Sequence, residues 1–236
     1  SRHGHERHVD LAHVPTSRTT HVTFAPSALF GRHCAVLGTT GGGKSWTVAR
    51  MLGEVARHQG KAILFDPSGE FHTLNARVRH VYLGGERTGD DDQREFVSFP
   101  YRHLSESDLF AMFQPSGGSQ SPKLREALIS LKLLACAPAL ASAAGLLLKA
   151  NGTKAAFNSS LAEHAAAMRE PGAAYDITRL PDQIYEECVW PTAQGGNANS
   201  WGGYDQNSRG YCTTLVSRIA VQIGSRETAC IFAPAG

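Results

Sequence analysis

Apolar residues fall in several distinct patterns along the chain, and each predicts a different element. Cys34-Ala35-Val36-Leu37 and Ala62-Ile63-Leu64-Phe65 are short uninterrupted runs, the pattern of strands buried on both faces of a parallel sheet. Between them, 44–58 spreads Trp46, Val48, Ala49, Leu52, Val55 and Ala56 over a broad helical stripe, with Gly60 placed where a helix stops. Strand, helix and strand so closely spaced predict a βαβ unit with a right-handed crossover. Two further strand-like pieces, 78–83 and 96–99, flank the acidic turn Asp90-Asp91-Asp92, which reads as solvated because no glycine-punctuated calcium spacing accompanies it.

After Pro100 the period changes to that of helices. Ser105 with Asp108 three residues on is a helix cap for 109–113, and 123–137 sets Leu124, Leu128, Leu131 and Leu134 on one face. A further Ala-rich helix is predicted at 161–168, before Pro171-Gly172. Residues 191–210, rich in Gly, Asn and Ser, read as a long loop. A last helix at 211–223 leads to an apolar strand, Cys230-Ile231-Phe232. Ahead of all this, 9–14 and 22–24 are extended groups broken by Pro15 and Pro26, which suggests strands or an arm.

Composition narrows the picture modestly. Apolar residues make up 42% and aromatics 8% of 236 residues, enough for a core and against global disorder. The net charge of +2 is too mild to argue for nucleic acid by itself. Five cysteines, an odd number without a CxxC pair, fit a reducing cytoplasm. The uncharged run between Lys132 and Lys149 is too short for a bilayer and carries Pro138 and Gly145, so a buried helix is expected and no membrane partner. His3, His5, His8 and His13 match no paired-ligand spacing and read as surface. The chain opens on Ser1 without a secretory signal, and is expected to be a piece of a longer protein.

One motif carries chemistry. Gly38-Thr39-Thr40-Gly41-Gly42-Gly43-Lys44-Ser45 fits GxxxxGK[ST] and stands between an apolar run and a helix start, where a phosphate loop belongs. Its glycines let the backbone wrap closely, so that N–H groups meet polyphosphate oxygens at a helix N-terminus. Lys44 is expected to reach the β/γ-phosphates of ATP, Ser45 to ligate Mg²⁺, and Trp46 to lie at the same nucleotide site. Asp66 and Glu70, in Asp66-Pro67-Ser68-Gly69-Glu70, bring two carboxylates to the carboxyl end of the next strand. Asp66 is assigned to the metal shell, and Glu70 to orienting or deprotonating the attacking water. Asp66-x-x-Gly69 also satisfies the DxxG of GTPases, but little chain separates it from Lys44 and the guanine-reading NKxD is absent. The widely spaced Arg209, Arg218 and Arg226 make no kinase lid.

Arg32-His33-Cys34-Ala35-Val36-Leu37-Gly38 through Gly43-Lys44-Ser45, followed by Ile63-Leu64-Phe65-Asp66-Pro67-Ser68-Gly69-Glu70, resembles the HerA branch of the HerA/FtsK motor superfamily. The resemblance spans residues 27–75 and is looser beyond 100. It implies an α/β fold, a RecA-like P-loop NTPase with a parallel sheet and a mainly helical insertion. It implies the ATPase motor subunit of a hexameric DNA translocase or helicase, reading phosphates without sequence preference, coupled to a nuclease or other effector in DNA end processing or phage defence. The alternative is a nucleotide-binding scaffold whose ATP site stabilises a ring. On this resemblance Arg32 matches an arginine that approaches phosphate across a subunit boundary. The expected organisation is an arm or the end of a barrel-like domain at 1–31, the first part of the ATPase core at 32–104, a helical insertion and long loop at 105–209, and a return to the core at 210–236. The family's distal acidic strand is not found: Gln183-Ile184-Tyr185-Glu186-Glu187 has too few apolar residues, and that strand, with any second arginine finger, is expected beyond Gly236. DNA contact is considered for loops near Arg87, Lys123-Leu124-Arg125 and 149–154, each also readable as a solvated face.

Overall fold

The computed structural model describes residues 8–74, 78–84 and 95–233, without the side chain of Arg18. Asp90-Asp91-Asp92, Arg87, His3 and His5 lie outside the described residues. Among the described residues the protein is mixed α/β, mostly helical with two small sheets, and it divides into two compact units at His80/Val81. Among the described residues no helix is long and apolar enough to cross a membrane.

The first unit opens with an antiparallel hairpin, β1 (Val9–Val14) and β2 (Ser17–Phe24), pairing Val9 with Phe24 and His13 with His21. Pro15 and Thr16 make the turn, and the register slips at Leu11, the site of a bulge. A short helix α1 (Pro26–Phe30) follows. The main element is α2 (Lys44–Arg57), whose Val48, Ala49, Leu52 and Val55 are half-buried as the stripe predicts. Its end differs from expectation by one residue. Gln59, not Gly60, takes the left-handed conformation at φ 59°, while Gln59 N donates to Ala56 O (3.0 Å) and Gly60 N to Val55 O (2.8 Å). These two bonds complete a Schellman cap, which satisfies carbonyls that the helix end leaves free.

The apolar runs on either side of α2 depart most from expectation. Cys34–Leu37 and 62–65 run as irregular chain and form no ladder among the described residues, so the parallel βαβ pairing is not formed. Leu37, Ile63 and Phe65 are 86–89% exposed. A two-faced apolar strand is stable only when layers cover both faces. In this unit the one sheet described is the antiparallel hairpin, which pairs with neither run.

In the second unit, β3 (Val81–Leu83) and β4 (Glu95–Val97) pair in parallel, Tyr82 opposite Phe96. Both are shorter than the expected 78–83 and 96–99. Five helices then build the core: α3 (Glu106–Phe113), α4 (Gln120–Cys136), α5 (Ala155–Arg169), α6 (Leu180–Glu186) and α7 (Gln206–Gly224). The Ser105/Asp108 capping box forms, each side chain receiving the other's backbone N–H. Leu124, Leu128, Leu131 and Leu134 of α4 are buried with Ile184 of α6 and Leu215 and Ile219 of α7. The predicted apolar strand at 230–232 is instead a short helix, α8 (Ala229–Phe232), and Phe232 stacks on Phe113 with centroids 5.8 Å apart. Burial against α3 is open to an apolar run in either conformation, and a single backbone bond, Phe99 N to Cys230 O at 2.8 Å, joins the segment to the chain after β4. Gln183-Ile184-Tyr185-Glu186 is α6 rather than a strand, started by Pro181 in its first turn.

The expected loop ends at Asp205, which caps α7 by accepting from Asn207 and Ser208 N–H. It is pinned along its length. Lys154 Nζ donates to the carbonyls of Pro191 (2.6 Å) and Ala198 (2.8 Å), and Trp201 N to Gly152 O (2.9 Å). Beneath it, Glu187 accepts from Ser130 Oγ (2.7 Å), Gln183 Nε2 (2.9 Å) and Lys149 Nζ. Lys149 is also 4.7 Å from the Phe157 ring centroid.

Candidate functional site

The glycine turn is shaped by conformations that only glycine takes freely. Gly41 and Gly43 have φ of 77° and 82°, either side of Gly42, whose N–H donates to Thr39 O at 3.0 Å. Such alternation turns backbone N–H groups toward a common concavity. Gly43 then caps α2 with no side-chain bond to the helix, and the first intrahelical bond is Thr47 N to Gly43 O at 3.0 Å. The amides of Lys44, Ser45 and Trp46 therefore precede the helical ladder, where a helix leaves its donors for an anion. Lys44 Nζ donates to Thr39 O at 2.8 Å, which folds its cation over the turn.

One carboxylate of the 66–70 segment, that of Glu70, joins this turn, and the other, that of Asp66, shapes the segment itself. Ser45 Oγ donates to Glu70 Oε2. Glu70 N in turn donates to Asp66 Oδ1 at 3.2 Å, and Phe71 N to Asp66 Oδ2 at 2.8 Å. The Phe71 amide foremost, with Ser68 and the amides of Glu70 and Gly69, holds the Asp66 carboxyl below the usual aspartate range, against a smaller opposing effect of desolvation. Asp66 is thus an anion at neutral pH, with its lone pairs oriented by the backbone.

Ser45, Asp66 and Glu70 are oxygen donors, one hydroxyl and two carboxylates, the ligand chemistry that Mg²⁺ prefers. The uncapped helix start and the Lys44 ammonium fit a polyphosphate on the same turn. Thr39 and Thr40 belong to the turn, Thr39 through its carbonyl. Gly38 precedes it, and a Cβ there would lie 3.4 Å from Lys44 Cγ. Trp46 is brought to the site only by sequence adjacency: it is 83% exposed on the first turn of α2. Arg32 is exposed between α1 and the turn, and no hydrogen bond or ion pair among the described residues joins it to Lys44 or Ser45.

The described basic residues considered for DNA contact differ in exposure, Lys149 being buried and Lys123 and Arg125 in surface pairs. Lys149 is buried on Glu187, Lys123 pairs with Glu126 at 2.9 Å, and Arg125 pairs with Glu106 at 2.7 Å. Lys149 cannot reach a nucleic acid without unpairing a buried carboxylate. Farther along α2, Glu54, which motif reading does not single out, anchors the hairpin through the Asp10 amide. Arg50, Arg57 and His58 stand i−4, i+3 and i+4 from Glu54 on one helix face, a spacing that solvated helix faces share.

The sequence model of the helicase HerA central domain matches residues 9–162. Two proteins of Methanocaldococcus jannaschii are similar over shorter stretches. One is the probable DNA double-strand break repair helicase HerA, 36% identical over 66 residues, which are 28% of this chain and 13% of that protein. The other is the probable helicase MJ1565, 36% identical over 92 residues, 36% of this chain and 18% of that protein. The matched stretch is under a fifth of either relative's length.

Proposed function

The chain belongs to the helicase HerA central-domain family, and from that premise we propose that it is the ATP-binding and ATP-hydrolysing part of a DNA-translocating motor. The single observation that carries this reading is the joining of Ser45 to Glu70, and of Glu70 to Asp66, beside Lys44 at an uncapped helix start. Gly38 to Ser45 bind the phosphates through backbone amides, and Lys44 adds a cation that binds the β/γ oxygens. Ser45 and Asp66 are the residues to hold Mg²⁺, directly or through water. A Mg²⁺ ion held by them would supply positive charge against the polyphosphate oxygens. Glu70, which accepts from Ser45 Oγ, is the carboxylate to orient the attacking water or take its proton.

The finer parts of the proposal rest on family membership. They are a RecA-like parallel sheet in which 34–37 and 62–65 run as strands, a homo-hexameric ring acting on DNA irrespective of sequence, Arg32 serving a neighbouring subunit's phosphate, a partner nuclease or effector in DNA end processing or phage defence, and a cytoplasmic setting. Phosphate release measured with and without duplex DNA tests the core of this reading. Lys44→Ala is expected to lower turnover by about 10²–10³-fold, the usual loss when a preorganised charge partner is removed. Unchanged hydrolysis in that variant would falsify the site. No stimulation by DNA, together with full activity in Glu70→Gln, points instead to a scaffold in which nucleotide only stabilises assembly.

A further inference from the structure

The hairpin is fastened to α2 chiefly by charge. Glu54 is only 3% exposed, and its Oε2 accepts the Asp10 amide at 3.2 Å and Arg57 Nε at 3.0 Å. Arg50 lies 3.5 Å from Glu54 Oε1 and donates from Nε to the Asp10 carbonyl at 3.0 Å. Arg57 Nη2 and His58 Nε2 both reach the His8 carbonyl at 3.0 Å. Side chains from successive turns of one helix therefore grip the backbone of residues 8 and 10. A carboxylate is stable under such cover only when donors satisfy it. Burial pushes the Glu54 carboxyl up, but hydrogen bonds from Arg57 and Asp10 and the charges of Arg57 and Arg50 outweigh it, leaving the group below the ordinary glutamate range.

The grip sits on the helix whose first residues are Lys44 and Ser45. A helix transmits displacement as a stiff rod, and nine residues of rise separate Ser45 from Glu54 by about 14 Å. Resting on the nucleotide reading above, we propose that Glu54 is a positioning residue that latches the amino-terminal hairpin to α2, so that nucleotide seating at one end of the helix and hairpin attachment farther along it are a single coupled equilibrium. Such coupling is reciprocal: whatever nucleotide does for the latch, the latch does for nucleotide affinity.

Hydrogen exchange of the full chain, with and without Mg²⁺ and adenosine 5′-(γ-thio)triphosphate, reads both ends. In the unsubstituted protein the nucleotide slows exchange at 38–47, and also slows it at 9–14 and 17–24 by about fivefold or more. In Glu54→Gln the protection at 38–47 persists, the response of the hairpin disappears, and nucleotide affinity falls by the same factor. Arg57→Gln, which weakens the latch from its exposed side, gives the same pattern in smaller degree and serves if Glu54→Gln does not fold. A general loss of packing would instead raise exchange at 9–14 without removing its nucleotide dependence, and that result overturns the proposal. Protection at 38–47 with no change at the hairpin in the unsubstituted protein overturns the latch while leaving the nucleotide site intact. No protection at 38–47 overturns both.

Discussion

The two units differ in where their stability and their chemistry lie. Among the described residues, Val9 is the single buried apolar side chain of the first unit, and every other one lies between Leu109 and Phe232 in the second. The unit with the phosphate-loop motif thus has little buried apolar core, with Leu37, Ile63 and Phe65 facing solvent and the hairpin held in part by the charged grip. The second unit is a leucine-rich helical core with a satisfied polar network inside. The difference teaches that a glycine-rich turn can take its shape from local backbone chemistry, whereas the apolar runs that flank it in sequence need covering layers to become a sheet.

The comparison is most severely tested at Glu187. Glu187→Ala strands the Lys149 ammonium under the loop and is expected to destabilise the helical unit by about 3–5 kcal/mol, read from the urea midpoint of its helical circular dichroism. A loss below about 1 kcal/mol, the range of exposed pairs, would mean that the network is open to water. Next comes a matched pair of truncations. Leu215→Ala, at a fully buried position, is expected to cost about 2–5 kcal/mol, and Leu37→Ala, in the exposed run, less than about 0.5 kcal/mol. Equal costs would erase the contrast and show that the 34–37 run is already covered in solution.

The smallest effect concerns Asp66. Its folded-state pKa is depressed, so the turn it organises is fully supported above the unfolded aspartate pKa of about 3.9 and loses that support as pH falls through the lower folded value. Exchange at the Phe71 amide should therefore quicken, relative to its intrinsic acid rate, only below about pH 4, and Asp66→Asn should remove that step. A step in the substituted protein at the same pH would assign it to another carboxyl group.

Much of this was written in the chain itself. The glycine-rich motif, its position at a helix start, the stripe of α2, the Ser105 cap and the leucine face of α4 are all local, and local backbone preference with helical periodicity fixes them. The contact of Glu70 with Ser45 joins two segments that the motif spacing singles out. What only the tertiary structure decided is long-range. Pairing of 34–37 with 62–65 depends on layers that no local pattern supplies. Cys230-Ile231-Phe232 is helical, with Phe232 stacked on Phe113 of α3 and Cys230 O bonded to Phe99 N rather than in a ladder. Lys149 and Glu54 are charges that look solvated in sequence, yet each is buried because partners distant in the chain, Glu187 and the Asp10 amide among them, offset the cost of losing water.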